Sequence, residues 1–132
     1  MNDSQSLLFK PLVIGAITLP GRVFKSATSE TRAWKDGFVT DEYMSFYETM
    51  ARAGTPLMIT GNMHVSRDGQ STARMCGIES DDKISGLHKL TDSDHACGSK
   101  IFVQLNHVGR QMIPANMGFD EALTSSTVKE LM

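Results

Sequence analysis

The sequence predicts an α/β protein built on a parallel sheet. Two observations carry this. Short apolar runs at residues 23–26, 57–60 and 100–105 alternate with stretches whose apolar residues recur at helical spacing. The third run is apolar at most positions, as in a strand covered on both faces. Such a β-α-β-α-β run opens either an open doubly wound sheet or a closed barrel, and periodicity alone does not choose between them.

Taken in order, Leu12-Val13-Ile14 and Ile17-Thr18-Leu19 flank Gly15-Ala16 and read as a β-hairpin with glycine in its turn. Pro20-Gly21 then breaks the chain. Val23-Phe24-Lys25-Ser26 is the first strand of the parallel series, and a polar, flexible loop follows from Thr28 to Val39. Thr40 suits a helix N-cap, and Asp41 and Glu42 complement the positive end of the helix dipole. Tyr43, Phe46, Tyr47 and Met50 then fall on one face. Gly54 ends that helix and Pro56 prevents its continuation.

Leu57-Met58-Ile59-Thr60 reads as a buried strand ending at Gly61, and residues 62–79 as a long polar loop. Ser80 with Asp81-Asp82 opens a second helix, in which Ile84, Leu87 and Leu90 are expected to face inward and Gly98 to mark the stop. Lys100-Ile101-Phe102-Val103-Gln104-Leu105 is the third strand. After Arg110 the pattern fades, and no repeat or low-complexity tract is visible.

Composition narrows the function. Thirteen Lys and Arg stand against fifteen Asp and Glu, a net charge of −2, so there is no general electrostatic footprint for nucleic acid or an acidic membrane surface. The longest apolar stretches, such as Pro56-Leu57-Met58-Ile59, are far too short to span a bilayer. The first residues lack the basic and apolar regions of a secretory signal. Cys76 and Cys97 make neither a disulfide framework nor a metal-ligand spacing. A soluble, cytoplasmic protein is the expectation, with no metal, nucleic-acid or membrane partner.

Polar and small residues gather where the strands end, which is where barrels and open α/β sheets build their sites. These are Ser26-Ala27-Thr28-Ser29, Gly61-Asn62, and Gln104 with Asn106-His107. The Gln104 amide both donates and accepts, so it can read a heterocycle edge offering both kinds of partner. Gly61 lets a planar ligand approach the backbone. Each has a plain structural alternative: a solvated glutamine, a turn glycine, and a His107 that pins its loop. His64, His88 and His95 fall in loop or helix positions with no metal-ligand spacing. No dinucleotide-binding or P-loop glycine pattern is present.

Several segments, in order, resemble one family. Leu8-Phe9-Lys10-Pro11-Leu12-Val13-Ile14-Gly15 with Leu19-Pro20-Gly21-Arg22-Val23 is similar to the start of Old Yellow Enzyme-type NADH:flavin oxidoreductases. So are Ile59-Thr60-Gly61-Asn62 and Thr91-Asp92 through His95-Ala96-Cys97-Gly98. Gln104-Leu105-Asn106-His107-Val108-Gly109-Arg110-Gln111 is the most specific piece. The likeness covers about residues 7–112. It implies the N-terminal portion of a (β/α)8 TIM barrel, with the hairpin plugging the bottom and FMN lying across the top. It further implies that Ala27, Thr28 and Ser29 border the flavin ring, that Gly61 brings its backbone near the reactive edge, and that Gln104 bonds the pyrimidine edge. His107 and Arg110 match the motif as scaffold for the loop beneath the flavin.

The resemblance also implies the activity: NADH or NADPH reduces FMN, which passes hydride to a small-molecule electron acceptor such as an electron-poor alkene. Three positions depart from the family pattern. Ala27 stands where many members have proline, and Gly21 where asparagine is frequent. Asp94 falls where the second helix usually has an apolar residue, and a buried, unpaired carboxylate there would be costly. A complete barrel takes ~250 residues, so residues 1–132 are expected to be a single partial domain. On that expectation the family's acid/base residues and phosphate loops fall beyond Met132. The alternatives are a non-catalytic fragment or subunit that pairs with itself or with a completing polypeptide, and an unrelated α/β domain binding another small ligand.

Overall fold

A computed structural model describes residues 6–126. The hairpin forms as expected, with β1 (Leu12–Ile14) antiparallel to β2 (Ile17–Leu19) and Gly15-Ala16 in the turn. The parallel sheet has the order β3-β4-β5, from Phe24–Lys25, Leu57–His64 and Lys100–Asn106. Helix α1 (Asp41–Arg52) joins β3 to β4, and α2 (Ile84–Ala96) joins β4 to β5. A short helix α3 (Pro114–Met117) follows. The element order is therefore the predicted hairpin followed by β-α-β-α-β.

Local chemistry explains the helix ends. The Thr40 hydroxyl accepts the Tyr43 N–H at 3.0 Å and donates to the Arg32 carbonyl at 2.6 Å, so one side chain caps α1 and fixes the preceding loop. The loop from Thr28 to Val39 is tied at further points. Arg74 reaches the carbonyls of Ala33 and Arg32 and the carboxylate of Glu42, which also pairs with Arg32. Gly54 and Gly98 take φ of +87° and +81° just past α1 and α2, the left-handed step that ends a helix.

The core lies between the sheet and its two helices. Tyr43, Tyr47 and Ala51 of α1 pack with Met58 and Met63 of β4 and Leu90 of α2, joined by Ala33 and Cys76 from the loops. The Tyr43 and Tyr47 rings sit 5.1 Å apart, within the usual range for an aromatic pair.

Three sequence expectations need correction. Strand β4 does not stop at Gly61 but runs to His64, which is fully buried rather than in a loop. Cross-strand pairing holds the extension, because Asn62, Met63 and His64 align with Gln104, Leu105 and Asn106. The stretch 62–79 is accordingly only partly loop: it continues β4, makes a turn of 3-10 helix at Arg67–Gly69, and returns beside His64 at Gly77. Ile84 is 53% exposed, since a 3-10 turn at Asp81–Lys83 precedes the helix and only Leu87 and Leu90 reach the core.

The third strand also differs in its surroundings. Phe102, Val103 and Leu105 of β5 are exposed, as are Val23 before β3 and Ile113 beyond β5. Their apolar character fits a covered strand, but nothing among the described residues covers them.

Candidate active site at the strand ends

The carboxyl ends of the three parallel strands surround a concave space of about 420 Å³, lined by Ser29, Asn62, Ser71 and Gln104, with the Leu105–Val108 segment and Gln111. Most of these groups are polar. Of the sequence-predicted residues, Ser29 and Gln104 line this space; Thr28 and the half-buried Ala27 lie just before Ser29 in the chain, and Gly61 lies behind its neighbour Asn62.

A bulge sets the register here. Ile59 pairs with Phe102 and Asn62 with Gln104, so Thr60 and Gly61 stand opposite the single residue Val103. The buried Thr60 hydroxyl accepts the Gln104 backbone N–H at 3.2 Å, which anchors that residue from below. Asn62 is brought directly beside Gln104, and two side-chain amides share the rim. The Asn62 Oδ1 atom is buried and has no hydrogen-bond partner among the described residues. An unpaired buried acceptor beside a polar cavity is a group waiting for a donor.

Gly61 is hemmed in on one side. A Cβ at this position would collide with the Glu30 carboxylate and lie 2.6 Å from the Thr28 carbonyl oxygen. Its N–H donates to Glu30 Oε1 at 2.9 Å and to the Tyr47 hydroxyl at 2.8 Å. Tyr47 in turn donates to Glu30, and Lys25 Nζ lies 3.2 Å from the same carboxylate. Burial and the hydrogen bond to Glu30 push the Tyr47 hydroxyl well above its ordinary value, so it stays protonated and available as a donor. Sequence reasoning missed this cluster. Glu30 resembles any loop acid and Tyr47 any core aromatic; the one available signal was Lys25, a charge inside an otherwise apolar strand.

Thr31, next to Glu30, has φ of +50°. That conformation in a β-branched residue costs on the order of 1–3 kcal/mol and persists only where surrounding contacts enforce it.

His107 behaves as a structural imidazole. Its Nδ1 accepts the Gly109 N–H at 3.1 Å, while its Nε2 lies 3.8 Å from Asp68, and the Val108 N–H reaches the Gly69 carbonyl at 3.2 Å. These contacts clasp the loop after β4 to the exit of β5. His64 lies at the far end of β4, its Nδ1 3.5 Å from Glu79, which is paired with Lys83 at 2.8 Å. Burial holds the His64 pKa below its ordinary value despite that carboxylate. Among the described residues no group of three His, Cys, Asp or Glu side chains could hold a metal ion.

A hairpin followed by parallel βαβαβ, with polar side chains collected at the carboxyl ends, is the opening of an α/β protein of the kind that builds its site at the strand ends. Residues 7–130 match the model of the NADH:flavin oxidoreductase / NADH oxidase family, and the chain belongs to that family. It is 34% identical over 125 residues to N,N-dimethylglycine/sarcosine dehydrogenase of Chromohalobacter salexigens, covering 93% of this chain and 18% of that protein. It is 34% identical over 122 residues to NADPH dehydrogenase of Bacillus subtilis, covering 86% of this chain and 36% of that one. Among solved structures, the Old Yellow Enzyme homologue from Zymomonas mobilis superposes with a TM-score of 0.77 at 30% identity, over 86% of this chain and 31% of that one. Morphinone reductase gives a TM-score of 0.82 at 27% identity, over 92% and 32%.

The chain thus spans roughly a fifth to two-fifths of the length of these relatives. Its three parallel strands are the N-terminal portion of their TIM barrel, and the described residues do not close a barrel. The family consists of oxidoreductases that use FMN with NADH or NADPH as reductant. This membership sets aside the reading as an unrelated α/β domain.

Proposed function

We propose that residues 1–132 form one partial domain that supplies the flavin-ring side of an FMN-dependent NAD(P)H oxidoreductase. The observation that carries this reading is the polar cavity at the strand ends, where Gln104 and the unpaired Asn62 Oδ1 stand side by side. An amide that both donates and accepts beside a free acceptor suits the pyrimidine edge of an isoalloxazine, which presents N–H and C=O groups together. Ala27, Thr28 and Ser29 border the ring from the end of β3, Gly61 presents its backbone from β4, and Gln104 bonds the pyrimidine edge from β5. When bound, FMN supplies hydride transfer between the nicotinamide and a small-molecule acceptor such as an electron-poor alkene. The protein's part on this side is to orient the ring by hydrogen bonds and to keep the strand ends rigid. The acid/base groups of the reaction are assigned to no residue of this chain.

The exposed apolar residues Val23, Phe102, Val103 and Leu105 support a partner for the open sheet, either further barrel strands on a completing polypeptide or a second copy of the chain. No helix among the described residues is long and apolar enough to cross a membrane. A cytoplasmic location, with neither nucleic acid nor membrane as partner, accompanies this reading.

The test is FMN titration of the full-length protein carrying Gln104→Leu. A hydrogen bond of this kind contributes about 0.5–1.5 kcal/mol, so FMN retention should weaken several-fold, with a shifted flavin spectrum and unchanged secondary structure. Unaltered affinity would remove Gln104 from the site.

A further inference from the structure

We infer that Glu30 is a positioning residue for the flavin-ring site, holding the Gly61 peptide and the Thr28–Ser29 segment in place with one carboxylate. The inference rests on the flavin reading above and adds to it a residue that the strand-end motifs do not contain.

The need for such a residue follows from the topology. Strand β3 pairs with β4 only as far as Lys25 opposite Met58. Beyond that point no strand among the described residues stands beside β4 to receive the Gly61 N–H. The bulge at Thr60-Gly61 breaks the ladder on the β5 side as well. An unpaired backbone donor at a buried position is costly. Glu30 takes the place of the missing strand: its Oε1 accepts from Gly61 at 2.9 Å, and Tyr47 braces both groups from α1.

The carboxylate does not reach the cavity itself, because the Glu30 side chain is only 4% exposed. Its charge is met by Lys25, whose ammonium also donates to the carbonyls of Ser26 at 3.0 Å and Ile59 at 3.2 Å. One ion pair therefore clasps the end of β3 to the middle of β4. Each arm of the clasp is one residue away from the cavity wall, Glu30 next to Ser29 and Gly61 next to Asn62. The absent Cβ at Gly61 is the steric counterpart, since it lets the carboxylate lie against the backbone. Loosening Glu30 would let both wall segments move together, and a charge-assisted hydrogen bond is the strongest kind available for holding them.

Glu30→Gln and Tyr47→Phe in the full-length protein test this, with two readouts. In FMN-free protein carrying isotope-labelled glycine, the Gly61 amide proton should move upfield and exchange faster in Glu30→Gln, and less so in Tyr47→Phe. With FMN, Glu30→Gln should bind about tenfold more weakly, as expected when a charged acceptor becomes neutral, and its visible absorption band should shift. A Gly61 resonance that stays put in Glu30→Gln overturns the inference. So does a variant that melts earlier yet binds FMN with unaltered affinity and spectrum, which would make Glu30 a stability residue only. Failure of the unmutated protein to take up FMN overturns the flavin reading and this inference with it. Uptake by the unmutated protein with no change in either variant overturns this inference alone.

Discussion

Replacing Asp94 by valine should stabilise the protein, and the size of the gain can be worked from the structure. Asp94 lies on α2 at 0% exposure, and among the described residues neither carboxyl oxygen has a hydrogen-bond partner. Burial, with a smaller contribution from the Glu48 charge, raises its pKa from 3.8 to about 6. That rise costs the folded state on the order of 3 kcal/mol wherever the carboxyl must be ionised. Because the folded-state value lies above the unfolded one, the wild-type chain carries no penalty below about pH 4. It loses stability as the pH rises from about 4 to 6, and bears the whole loss above that. Valine has no charge to desolvate and is close to aspartate in size. Thermal melts of Asp94→Val against wild type at pH 8 should therefore differ by on the order of 10 °C. At pH 4 the difference should shrink to the small packing term. A lower melting temperature for the valine form at pH 8, or a gain independent of pH, would refute the picture of an unpaired buried carboxylate.

Two further outcomes are expected. The 132-residue chain, purified and supplied with excess FMN, should not oxidise NADH or NADPH with an enone acceptor, because barrels build their phosphate site near strands seven and eight; turnover well above that of free FMN would show a working site assembled by association. Burial pushes the Cys76 thiol up to about 12, so a thiol reagent at neutral pH should label the less buried Cys97 first and reach Cys76 only on unfolding, a difference that mass spectrometry of the labelled peptides resolves.

The parts of the fold legible in the sequence are those fixed by local chemistry. Thr40, the Tyr43-Phe46-Tyr47-Met50 face and Gly54 define α1 without reference to the rest of the chain, and Gly15-Ala16 defines the hairpin. What escaped reading depends on distant partners. Gly61-Asn62 has the composition of a turn, yet pairing with β5 and the hydrogen bonds from Gly61 keep it in strand β4. The apolar run of β5 predicts a covered strand, but the described residues leave it exposed. The same division holds at the site. Gln104 and Asn62 stand out as amides after apolar runs. Glu30 and Tyr47 sit 17 positions apart, and only the folded chain brings them onto the same backbone N–H.

The surplus residue in β4 makes that strand behave like a reading frame. Side chains of a strand alternate between faces, so a bulge of one residue shifts the odd-even count of everything after it while the pairing with the partner strand is kept. Asn62 meets the rim and Met63 the core because β4 places two residues where β5 places one. Forcing both Thr60 and Gly61 into an even ladder would exchange those roles, driving the amide inward and the thioether out to the cavity, whereas deleting one of them would keep Asn62 beside Gln104. The count of residues from Leu57 to His64 therefore makes sense only together with the bulge. A homologous sequence aligned with a one-residue gap at this place describes an even ladder whose later side chains face as Asn62 and Met63 do here.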